Sequence, residues 1–165
     1  MLIEDVRQTA TPTPVHGRSG VHRVLVAFDG SKGAWAALER GIDVAVNSRA
    51  SLTIAAVVEQ PSFFVALGPA TAPVTRESLQ RDIEAAMLRH LAGARDEVPA
   101  TVSVTTQILR GKPARALAEF ATAGRFDLVV TGPRAVGRWR RLFGRSVTHG
   151  LLSRCETSVL AVRAG

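Results

Sequence analysis

The sequence predicts a parallel, doubly wound α/β domain. Short apolar runs of strand length alternate with amphipathic helical segments, and the runs end in turns rich in Gly, Ser, Asp or Pro. The series reads as five strands and four helices. Right-handed crossover helices between parallel strands must cover both faces of such a sheet. No internal repeat divides the 165 residues, a length that one core serves.

Residues 1–20 carry Thr11, Pro12, Thr13, Pro14, Gly17 and Ser19 and too few apolar groups to offset the entropy of ordering the backbone. A flexible tail is expected there, with the folded domain over 21–165. Val24 to Phe28 is a continuous apolar run, the mark of a strand buried on both faces, and it stops at Asp29-Gly30-Ser31. Ser31 is placed to cap a helix whose apolar residues Trp35, Leu38, Ile42, Ala45 and Val46 recur at helical spacing. On that spacing Trp35 belongs to the core.

The second strand, Leu52 to Val58, runs into a long loop containing Gly68, Pro69 and Pro73. A half-exposed helix is expected from about Thr75 to Glu97, with Leu79, Ile83, Met87, Leu91 and Ala94 on one face. Thr101 to Leu109 alternates and is rich in β-branched residues, which suits an edge strand. Pro113 fits the first turn of the next helix, and Gly124 is expected to end it in a left-handed conformation before the strand Asp127 to Thr131. After the segment 132–145, Ser146 can cap a short helix reaching about Ser153, and Ser158 to Val162 is the last strand.

The net charge of +7 and pI near 11.3 come mainly from arginine and favour anionic ligands or surfaces. A single cysteine, Cys155, forbids an internal disulfide and a cysteine-rich zinc site, which fits a reducing, cytoplasmic setting. No apolar run has the length of a signal peptide or membrane span. The histidines His16, His22, His90 and His149 lack mutual ligand spacing, so no metal site is expected from them.

In an open parallel sheet, ligands collect beyond the carboxyl ends of the strands where the strand order reverses. Two segments have a suitable composition: Asp29-Gly30-Ser31, and Gly132 to Ser146 with Arg134, Arg138, Arg140, Arg141 and Arg145. A carboxylate accepts from ribose hydroxyls, glycine lets backbone amides approach a phosphate, and a helix N-terminus favours an anion. Val-Ala-Phe-Asp-Gly-Ser at 26–31, Gly-Lys-Pro-Ala at 111–114, Asp-Leu-Val-Val-Thr-Gly at 127–132 and Ser-Val-Leu-Ala-Val at 158–162 together resemble the universal stress protein family, over about residues 23–163.

That resemblance implies a flavodoxin-like sheet in the order 3-2-1-4-5, which brings Asp29 beside the 132–146 loop. It implies an adenine-nucleotide site, for ATP or a relative with Mg only as the nucleotide's companion, drawn from Ala27, Phe28, Asp29, Val57, Thr131, Gly132, Arg134, Ala135, Arg145, Ser146, Val147 and Thr148. It also implies a homodimer joined through Ser158 to Val162. The phosphate loop departs from the family pattern, with Ala135 and Arg145 standing where nucleotide-binding members have glycine.

Two further readings follow from those departures: an interaction scaffold without nucleotide, and polyanion or nucleic-acid binding by the arginines, which would weaken steeply with salt. No Walker loop, dinucleotide fingerprint, nucleophile elbow or zinc-protease motif occurs. Binding is therefore expected rather than turnover, with ATP hydrolysis slow at most.

Overall fold

A computed structural model describes residues 20–59, 76–132 and 147–163. The expected tail at 1–20, apart from Gly20, the long loop after the second strand and positions 133–146 lie outside these residues. The elements are β1 (Arg23–Ala27), α1 (Lys32–Ser48), β2 (Ser51–Val58), α2 (Arg76–Asp96), β3 (Val104–Arg110), α3 (Pro113–Ala123), β4 (Leu128–Thr131), α4 (Val147–Leu152) and β5 (Ser158–Ala161). They form one parallel sheet in the order β3-β2-β1-β4-β5, as the resemblance implies.

β1 lies at the centre because its side chains are apolar on both faces. Val24, Val26 and Phe28 pack with α1 and α2 residues, while Leu25 packs with Leu117, Ala118 and Ala121 of α3 and Leu151 of α4. Each such Leu or Val contributes about 1.5–3 kcal/mol on full burial. β3 is the edge that its alternation predicts, with exposed and half-buried residues along most of its length. It starts at Val104 rather than Thr101, because Val102 N–H closes a turn onto the Pro99 carbonyl at 2.9 Å.

α1 begins as expected, with the Ser31 hydroxyl oxygen accepting from Ala34 N–H at 3.2 Å. Its buried face differs from the predicted stripe: Gly33, Ala34, Ala37, Leu38, Gly41 and Ala45 are buried, while Trp35 is 37% and Val46 46% exposed. The small residues let the helix axis come close to the sheet. At Gly41 a Cβ would collide with the Val26 side chain, so the larger side chains are turned outward.

The end of α3 also corrects the expectation. Gly124 has an ordinary right-handed backbone, φ −80°, and the left-handed residue is Arg125, φ 50°. Glycine is required at 124 for space, since a Cβ would strike the Phe126 ring and lie 3.0 Å from the Phe120 carbonyl oxygen. β4 then begins one residue late because Asp127 has another task. One of its carboxylate oxygens accepts from both His22 and Arg23 N–H, each at 2.9 Å, and fastens the entry to β1.

α2 continues past the carboxyl edge of the sheet, where Arg110 at the end of β3 meets it. The Arg110 Nε and Nη2 groups donate to the two oxygens of Glu84 at 3.1 Å each, and Gln80 Nε2 donates to the same carboxylate at 3.3 Å. The Gln80 hydrogen bond and then the Arg110 guanidinium hold the Glu84 carboxyl below its usual range. A carboxyl depressed by folding adds stability above its unfolded pKa of about 4.3, and that stability disappears as pH falls through the lower folded value. Glu84→Gln should therefore lower the thermal midpoint at neutral pH, with the difference from wild type closing in acid once the wild-type carboxyl is protonated. An equal difference at neutral and acid pH would assign the effect to packing instead.

Candidate functional site

The site is assembled at the carboxyl edge, where β1 turns into α1. β1 continues its pairing past Ala27, with Phe28 N–H donating to the Ala55 carbonyl at 2.8 Å. The chain then reverses at Gly30, whose φ of 76° suits glycine, and Ser31 N–H donates to Asp29 Oδ1 at 3.0 Å. Asp29 thus shapes the turn that delivers the N-terminus of α1. Ala27 pairs with Ala55, so the same register carried two residues onward sets Asp29 level with Val57.

On the other side of β1, β4 ends at Thr131 and Gly132. Thr131 is buried, its hydroxyl donates to the Gly132 carbonyl at 3.4 Å, and its own carbonyl accepts from Val162 N–H at 2.8 Å. Gly132 lies directly on the first turn of α1, where a Cβ would fall on the Gly33 carbonyl group. The ends of β1 and β4 are therefore in backbone contact through α1, without an intervening side chain. That proximity is the switch point at which the strand order reverses.

The structure brings Ala27, Phe28, Asp29, Val57, Thr131 and Gly132 to this edge. Phe28 and Thr131 bury their side chains in the protein, while Val57 and Ala27 are half buried on the α3 side. Val147 and Thr148 open α4. Arg134, Ala135, Arg145 and Ser146 lie outside the described residues, as does Trp139.

One neighbour of the site was missed from sequence. His90, on α2, is exposed, and its ring atoms Cγ, Cδ2 and Nδ1 lie 3.3, 3.4 and 3.4 Å from the point a Cβ on Gly30 would occupy. No local pattern marks a lone histidine beside a buried leucine as facing a turn sixty residues earlier.

A separate open groove, about 840 Å³, runs along α3. It is lined by Lys112, Arg115, Glu119, Thr122, Arg154 and three alanines, and by none of the described site residues. Arg115 Nε donates to Glu119 at 2.7 Å across it, an ion pair one helical turn long. Among the described residues no group of three or more His, Cys, Asp or Glu side chains is clustered to hold a metal ion, and no helix is long and apolar enough to cross a membrane.

A five-stranded parallel sheet whose order reverses between β1 and β4, with an aspartate turn after β1 and a glycine without room for a side chain after β4, defines a doubly wound protein of flavodoxin-like type. The chain belongs to the universal stress protein family, whose model matches residues 20–163. It is similar to the stress response protein NhaX of Bacillus subtilis, at 27% identity over 164 residues, covering 86% of this chain and 97% of that protein. Among solved structures, it resembles a universal stress protein in complex with cAMP, with a TM-score of 0.65, 26% identity and coverage of 89% of this chain and 100% of the other. UspA from Lactobacillus plantarum shares the fold with a TM-score of 0.66 at 23% identity, over 88% of this chain and 100% of that one.

Proposed function

We propose that this universal stress protein binds an adenine nucleotide across the carboxyl ends of β2, β1 and β4 and works as a dimeric regulatory module. The observation that carries the reading is the seating of Gly132 on the first turn of α1 beside the Asp29 turn. It fixes the end of β4, from which the proposed phosphate segment departs, onto the first turn of α1, one strand away from a carboxylate suited to a ribose. The similar universal stress protein in complex with cAMP supports the same class of ligand.

In this reading Asp29 takes the ribose, Val57 borders the base, and the segment from Gly132 through Arg134, Ala135, Arg145 and Ser146 to Val147 and Thr148 takes the phosphates, with Mg entering only with the nucleotide. Ala27, Phe28 and Thr131 supply the backbone that holds these groups in place. Arginine side chains can bind phosphate oxygens bidentately and so substitute for the amide contacts that glycine would allow. The dimer forms through β5, which pairs with β4 on one edge and, among the described residues, with no strand on the other.

Calorimetric titration with ATP tests the reading, using wild type and Arg145→Gly. Saturable binding by wild type is the expected result. Binding that appears only in Arg145→Gly would mean that arginine fills the phosphate space. The scaffold reading, which Ala135 and Arg145 favour, would then be preferred. Absence of binding in both would remove ATP from consideration and move the search to other anions.

A further inference from the structure

We propose that His90 forms the α2 wall of the site and stacks on the base of a bound adenine nucleotide, an assignment that rests on the nucleotide reading above. Three contiguous ring atoms of His90 are almost equidistant from the Cβ point of Gly30, at 3.3–3.4 Å. The turn therefore meets the imidazole across its face near Cγ, not at its edge. With one face toward Gly30 and the residue exposed, the opposite face is turned away from the turn, the side on which a planar partner would lie.

The sheet order says which part of the ligand that partner is. α2 packs on β2 and β3, on the side of β1 away from β4. Gly132 stands at the β4 side. A nucleotide with its phosphates toward Gly132 and its ribose at Asp29 therefore directs its base toward the end of β2 and, on the α2 face of the sheet, toward His90. The fixed partners of the ring make it a prepared surface: Leu91 beside it is buried in the core, and Gly30 leaves no side chain to displace it. An aromatic side chain under a base loses affinity when truncated to alanine because the stacked contact is replaced by water.

The full chain is titrated with ATP and with AMP in wild type, His90→Ala and His90→Phe. His90→Ala should weaken both nucleotides by a similar factor, about tenfold, while His90→Phe keeps its affinity within about threefold of wild type. The ligand-free thermal midpoint of His90→Ala should stay within about 2 °C of wild type, as for an exposed substitution without a structural task. Unchanged affinity in His90→Ala, with wild type binding, would overturn the assignment and leave the nucleotide reading standing. A loss confined to ATP would also overturn it, since it would place the ring on the phosphates. Equal losses in the alanine and phenylalanine variants would replace stacking by a polar contact. If wild type binds neither nucleotide, the reading of the site fails and takes the assignment of His90 with it.

Discussion

Replacing Gly132 by alanine is expected to lower the thermal midpoint by roughly 6–12 °C, equivalent to about 3 kcal/mol in a chain of this size. The backbone of Gly132 is not in the left-handed region, so the demand is for space and not for an unusual φ. The added methyl would fall on the Gly33 carbonyl, and a backbone group cannot swing aside as a side chain can. Relief requires the first turn of α1 to lift from β4. Ala34 and Ala37, buried in the core just after Gly33, would be drawn out with it, and so would the Ser31 cap and the Asp29 turn. Calorimetry on wild type and variant gives the shift directly, and an unchanged midpoint would show that this contact is not maintained in solution. The same variant should lose saturable nucleotide binding at temperatures where it is still folded.

Phe28→Ala should be comparably severe, at about 3–5 kcal/mol, for a different reason. The ring is 3% exposed, and it meets Trp35 edge to face with centroids 5.0 Å apart and planes at 88°. Truncation leaves a cavity between the end of β1 and the first turns of α1, and it removes an aromatic pair worth about 0.5–1.5 kcal/mol beyond its buried area. Phe28→Leu should recover most of the loss, because the volume is largely restored. Trp35 reports the change: in a Trp139→Phe background its emission should shift to longer wavelength in Phe28→Ala, as the partly exposed indole loses its covering ring. A midpoint and an emission spectrum both equal to the parent would exclude this packing role.

The sheet was legible because parallel strands buried on both faces write themselves as continuous apolar runs, and Val24 to Phe28 could be little else. The strand order came from family resemblance, since periodicity says nothing about which strands are neighbours. Helix faces were read less well. Scoring by side-chain hydropathy placed Trp35 and Val46 inward, yet α1 approaches through Ala34, Ala37 and Gly41, where small size decides closeness. The same blindness applies to Gly124, read as a conformational signal when its role is to leave room for Phe126. For the site, Asp29 and Gly132 carry local motifs, whereas His90 and Gly33 acquire their places only through contacts sixty and about one hundred residues distant in the chain.

The fastening of His22 and Arg23 by Asp127 has a consequence for the order in which the molecule is made. During synthesis β1, α1, β2, α2 and β3 all emerge before the carboxylate that holds the start of β1 exists. At that stage the strand destined for the middle of the sheet is an edge, with one ladder formed to β2 and the other side open. Pairing across a gap of about a hundred residues is a slow event, and unpaired strand edges are where nascent chains associate wrongly. The arrival of Asp127 and β4 thus covers the open side of β1 and leaves only β5 to complete the sheet, and the rate of that late closure is what the cell's chaperones would have to wait for.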